Sequence, residues 1–116
     1  MGRAVVFPFT GTVVWLTPEQ GGRDCIPVRS DGLGYASTAY VPPNTAVNGL
    51  ASFVLHHFKP GSLRSAADGR WLVVENEGCC RIEAGSLVVV TEGPRVTAYF
   101  HVEHVVEPAA DPPHRP

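Results

Sequence analysis

Residues 9–24 read FTGTVVWLTPEQGGRD, and the order of these residues decides the fold. Val13, Val14, Trp15 and Leu16 form a β-branched and aromatic run, the composition of a strand. Thr17-Pro18 stops that run. Glu19-Gln20-Gly21-Gly22-Arg23-Asp24 follows as a polar loop, in which the paired glycines permit a positive φ. A second unit of the same design lies near the other end of the chain. Leu87 to Thr91 is an apolar strand, Glu92-Gly93-Pro94-Arg95 is a loop, and Val96 to Val106 is a long final strand. In that last strand Val96, Ala98, Phe100 and Val102 alternate with Thr97, Tyr99, His101 and Glu103, which predicts one buried and one wetter face.

Between these units the pattern is one of short strands and turns. Cys25 to Val28 reads as an edge strand, because Pro27 cannot donate to a central ladder. Arg29 to Gly34 is a turn around Asp31-Gly32. Tyr35 to Val41 is a strand ended by Pro42-Pro43-Asn44, and Asn48-Gly49 is a further turn. Leu50 to Phe58 is read as a strand closed by Pro60-Gly61, since no capping box opens a helix there. Leu63 to Gly69 is read as a connection and Arg70 to Glu75 as a strand. Asn76 to Gly78 turns toward Cys79-Cys80-Arg81-Ile82. No long amphipathic helix appears. Six or more strands with tight turns predict a closed antiparallel barrel, which leaves no sheet edge exposed.

A length of 116 residues fits one domain. Residues 1–107 are read as the barrel and 108–116 as a Pro-rich disordered tail. The chain is 44% hydrophobic and only 17% charged, with a net charge of -2, so a nucleic-acid footprint over the whole surface is not expected. Three cysteines cannot all pair internally, and Cys79 and Cys80 read as free thiols in a reducing compartment. Arg3 precedes an apolar stretch too short for a signal peptide, and no run approaches the ~20 residues of a membrane helix. A cytoplasmic location without membrane association is the expectation.

The segment from Phe9 to Val41 resembles the start of the C-terminal barrel (domain III) of the elongation factor Tu family. Gln20-Gly21-Gly22-Arg23 stands where that family has Glu-Gly-Gly-Arg. Leu87 to Val96 is similar to the family's closing strand, Glu-Gly-Gly-Arg loop and final strand. Ala67-Asp68-Gly69 before Arg70 sits where the family has a Pro-Gly-Asp turn before a strand. The resemblance implies an all-β fold, a single six-stranded antiparallel Greek-key β-barrel. It also implies an RNA-facing role for the closing loop, with Glu92, Gly93 and Arg95 as contacts to a tRNA backbone. The sequence departs from the family at Gly34-Tyr35-Ala36-Ser37-Thr38, where an arginine is missing, at Gln20, and at Pro94. The family's GTP-binding domain and middle barrel have no counterpart here. No phosphate-cradling Gly-x-x-x-x-Gly-Lys-Ser/Thr loop is present, which excludes GTPase activity for these residues.

The candidate site therefore comprises Gln20, Gly21, Gly22, Arg23, Glu92, Gly93 and Arg95. Glycine lets a partner's backbone approach closely, and arginine pairs with a phosphate or a carboxylate. The simpler account is that Arg23 and Arg95 brace their own loops. His56-His57 and His101-x-x-His104 with Cys79-Cys80 contain metal-ligand types, but adjacent histidines on a strand point to opposite faces, and no metal or other cofactor is expected. Cys79 with a nearby histidine would make a nucleophile–base pair, though nothing in the sequence orders the two. Trp15, Trp71, Tyr99 and Phe100 read as barrel residues rather than a stacking platform. The expected function is a non-catalytic interaction module that binds a protein partner, or a ribonucleoprotein, through its Gly-Arg loops. The alternatives are binding to an RNA or tRNA backbone, and a small enzyme or ligand-binding barrel using Cys79 and the histidines.

Overall fold

Six antiparallel strands close on themselves in the order β1-β4-β3-β2-β5-β6. They are β1 (Phe9–Trp15), β2 (Tyr35–Tyr40), β3 (Ala51–His56), β4 (Arg64–Trp71), β5 (Leu87–Glu92) and β6 (Arg95–Val105). The computed structural model describes residues 7–23, 34–45, 47, 49–72 and 82–106. β2, β3 and β4 form a meander, and β1 lies beside β4, which is a Greek key. The all-β barrel expected from the sequence is the fold observed. No helix among the described residues is long and apolar enough to cross a membrane.

The strand alternation of β1 is strict. Phe9, Gly11, Val13 and Trp15 are buried, while Thr10, Thr12 and Val14 between them are half-exposed. Phe53, Leu55, Val88, Val90, Ala98 and Phe100 fill the same interior from the other strands, with Phe58 packed among them. Trp15, Trp71 and Phe100 are core residues. At Gly11 the backbone of β6 comes so close that a Cβ would lie 1.9 Å from the His101 carbonyl oxygen. There the register shifts, with Thr10 opposite His104 and Gly11 opposite Val102, so that Glu103 is the extra residue of a bulge. Its carboxylate accepts from Thr12 Oγ1 at 2.8 Å.

Two expectations are corrected. β4 begins at Arg64, not Arg70, and Ala67-Asp68-Gly69 lies inside the strand rather than in a turn before it. Gly69 is present because the interior is full. A Cβ there would stand 2.7 Å from Phe53 Cζ and 3.0 Å from Phe100 Cε2. In β6 the buried face includes Thr97, which is fully buried, whereas Val96 is only half-buried. A bulge causes this: Val90 pairs with Ala98 but Thr91 pairs with Val96, which leaves Thr97 between them. The expected strand Cys25 to Val28, the turn around Asp31-Gly32, the segment 73–81 with Cys79 and Cys80, and the tail lie outside the described residues.

Candidate functional site

At one end of the barrel the two Gly-Arg loops meet. The first begins where β1 ends, with the Leu16 N–H donating to the Thr97 carbonyl at 2.9 Å. Thr17 then caps a single 3-10 turn, Pro18–Gln20. Its hydroxyl accepts from the Gln20 N–H at 3.3 Å, and the Gln20 side-chain oxygen accepts from the Thr17 N–H at 2.9 Å. This reciprocal pair is a capping box, and Pro18 suits the first position of the turn because its missing N–H would be unsatisfied there anyway. The side-chain oxygen of Gln20 thus serves the loop's own backbone. Gly21, at φ 92°, ends the turn. Gly22 passes so close to Leu16 that a Cβ would lie 2.3 Å from the Leu16 carbonyl oxygen. That contact delivers Arg23 to the barrel rim.

The second loop is the β5–β6 hairpin, in which Glu92 pairs with Arg95 across Gly93 and Pro94. Gly93 has φ 60°. Proline's φ is locked near about -65°, so the connection is a type II′ turn, whose twist matches that of the flanking strands.

Each loop's arginine reaches the other loop. Arg23 Nη1 donates to Glu92 Oε2 at 2.5 Å, and Arg95 Nη1 donates to the Gly22 carbonyl at 3.3 Å. The Tyr35 hydroxyl donates to the same Glu92 oxygen at 2.5 Å and lies 3.2 Å from Thr97 Oγ1. Thr97 Oγ1 in turn donates to the Val90 carbonyl at 3.3 Å. The Arg23 guanidinium also stands over the Tyr35 ring, 5.8 Å from its centroid. The bracing role weighed from the sequence is therefore what these two side chains perform, but across loops rather than within them.

The electrostatics follow from this packing. Burial pushes the Tyr35 hydroxyl up to about 12, and its hydrogen bond to Glu92 acts in the same direction. For Glu92, burial alone raises the pKa, but hydrogen bonds from Tyr35 and Arg23 and the charges of Arg23 and Arg95 together hold it below the usual carboxylate range. The hydrogen bond to Glu92 raises Arg23. The cluster is an ionised carboxylate shared by a guanidinium and a neutral phenol.

Arg23, Tyr35 and Glu92 of this cluster, with Gly93, also line an open cleft of about 640 Å³. Ala36, Ser37, Thr38, Ser52, Thr91 and Leu72 complete its lining. Gly93, which lines it, is exposed, as are Gly21, Pro94 and Arg95 of the two loops. The fold thus brings together Gly22, Arg23, Glu92 and Arg95, four of the candidate residues. Tyr35 and Thr97 belong to the same cluster and were not among the candidates. Strand parity places Tyr35 on the interior face of β2 with Ala39, which is the signal for the first; Thr97 is inward only because of the bulge, which has no sequence signature.

The histidine argument is corrected. His57 does not continue β3; its φ of 64° takes it out of the strand, so parity no longer separates it from His56. The two rings meet edge to face with centroids 4.0 Å apart, and Phe7 stacks on His56. His57 Nδ1 is 2.7 Å from Asp68 Oδ2. Two imidazoles on one ion, with metal–nitrogen bonds of about 2.0–2.1 Å, hold their centroids about 5 Å apart. The contact is therefore one of packing. Among the described residues no group of three or more His, Cys, Asp or Glu side chains is placed to hold a metal.

Comparison of the chain with models of known families, with curated proteins and with solved structures finds no match. The class it defines by its own geometry is a closed six-stranded Greek-key barrel with two cross-braced Gly-Arg loops at one rim.

Proposed function

We propose that the chain is a non-catalytic interaction module, similar to the elongation factor Tu domain III barrel, that binds a protein partner through its paired Gly-Arg loops. One observation carries this reading. Gly93, Pro94 and Arg95 are exposed on a turn that Arg23, Glu92 and Tyr35 hold in place. A surface ordered before binding loses less conformational entropy when a partner arrives. A protein partner is favoured over an RNA backbone because the cluster joins one loop arginine to a carboxylate and the chain carries a net charge of -2. A polyanion needs several unneutralised cations.

The test is affinity capture from the native host with the wild type and with Arg95→Glu, with and without nuclease. Supporting the reading would be a protein retained after nuclease and lost with Arg95→Glu. Capture that disappears on nuclease treatment would move the function to RNA, the role the family resemblance implies for Glu92, Gly93 and Arg95. Capture indifferent to Arg95→Glu would remove the loops from the interface.

A further inference from the structure

The cleft lies between two strand edges. β2 pairs with β3 from Tyr35 to Ala39, but with β5 only from Thr38 to Tyr40. Below Thr38 the strands part, β5 ends at Glu92, and the chain turns at Gly93. Ala36 and Ser37 on one side and Thr91 and Gly93 on the other line the opening.

Register identifies the backbone groups that face it. The Leu72 N–H donates to the Ser52 carbonyl at 2.9 Å, so Ser52 presents its backbone to β4. Successive residues of a strand present these groups to alternate neighbours. Phe53 and Leu55 therefore face β2, where their partners are Ser37 and Tyr35. Ala36 faces the other way. Thr38, the next residue of that parity, meets Thr91, whereas Ala36 has no ladder partner on that side among the described residues. Its side chain is exposed.

A strand edge with open N–H and C=O groups is a template for an added strand. The surroundings narrow the occupant. Apart from Leu72 and the ionic cluster, the lining side chains are those of alanine, serine and threonine, which offer no deep apolar pocket. Arg95, two residues beyond the Gly93 that lines the opening, is exposed, and its hydrogen bond goes to a carbonyl rather than a carboxylate. We propose that this opening receives an extended acidic segment of a protein partner, added as a short strand on Ala36, with a carboxylate meeting Arg95. The inference rests on the protein-partner reading above.

The probe is a phage-displayed library of short unstructured peptides, selected on the wild type. Ala36→Pro removes the N–H that faces the cleft and leaves those of Tyr35 and Ser37 to β3, a substitution an edge position tolerates. Ala36→Ser keeps the backbone intact. Acidic peptides should be enriched. Their affinity should fall about tenfold with Ala36→Pro, the loss of one main-chain hydrogen bond, and stay unchanged with Ala36→Ser. Single N-methyl groups along the bound peptide should weaken binding at alternate positions, a readout that needs no variant of the protein. No enrichment, or peptides that bind folded Ala36→Pro as well as the wild type, or indifference to N-methylation at every position, would overturn the proposal. If the captured partner depends on Arg95 but not on Ala36, strand addition falls and the module reading stands; dependence on neither removes both.

Discussion

The guanidinium of Arg95 donates to the carbonyl of Gly22, and so joins the loop that follows β1 to the hairpin that precedes β6. Arg23 makes the opposite crossing to Glu92, 69 residues away in sequence. The rim is thus held by two links that run in opposite senses between the same two loops. Both ends of the Arg23–Glu92 link are about a third exposed, with side-chain accessibilities of 32% and 34%.

That exposure limits its strength. A double-mutant cycle of Arg23→Ala and Glu92→Ala, read by urea denaturation, should give a coupling of about 0.5–1 kcal/mol, after allowing for screening by solvent. Added salt should reduce it. A coupling indistinguishable from zero would mean that the ion pair does not hold the rim.

Acid should loosen the same link. The folded-state pKa of Glu92 lies below its ordinary value, so its stabilisation is present above that ordinary value and is lost as pH falls through the folded one. Glu92→Gln should flatten the acid limb of a plot of melting temperature against pH. A limb that Glu92→Gln leaves unchanged would place the acid sensitivity elsewhere.

Alkali acts through Tyr35. Its pKa is raised to about 12, so the neutral phenol is the form the fold favours. The stabilisation is complete below the ordinary tyrosine value of about 10 and is lost as pH rises toward the folded value. Ultraviolet titration of the wild type should show a late-ionising tyrosine that is missing from Tyr35→Phe. The same variant should cost about 0.5–1.5 kcal/mol at neutral pH through its lost hydrogen bonds.

The interior glycines offer a graded test of packing. In Gly69→Ala the new methyl meets the rings of Phe53 and Phe100, which can shift, so the cost should be about 1–3 kcal/mol. In Gly11→Ala it meets the backbone of His101, which can move only by disturbing the β1–β6 ladder, and the cost should be larger. Chemical denaturation of both variants checks the order, and the reverse order would contradict the described register.

The strands were legible wherever β-branched residues run together or a proline marks an end, as at Val13 to Trp15 and Leu87 to Thr91. The start of β4 was not, because Asp68-Gly69 carries the local signature of a turn while the space left by Phe53 and Phe100 requires a residue without a Cβ. The capping box was present in the sequence as Thr17-Pro18-Glu19-Gln20, which has the threonine-to-glutamine spacing that closes it. The convergence of Arg23, Glu92 and Tyr35 depends on barrel closure, a pairing between distant strands that no local pattern encodes. His57 escaped the parity argument through one backbone angle.

The first and last strands are neighbours, with Phe9 opposite Val105 and the Val106 N–H donating to the Pro8 carbonyl at 2.7 Å. The described chain therefore enters and leaves the barrel side by side. It does so at the end of β1 remote from Trp15 and the arginine loops, a separation of about 20 Å for a seven-residue strand. A host protein could carry this barrel as an insertion in a single surface loop, with both junctions on one side and the arginine rim facing away from the host.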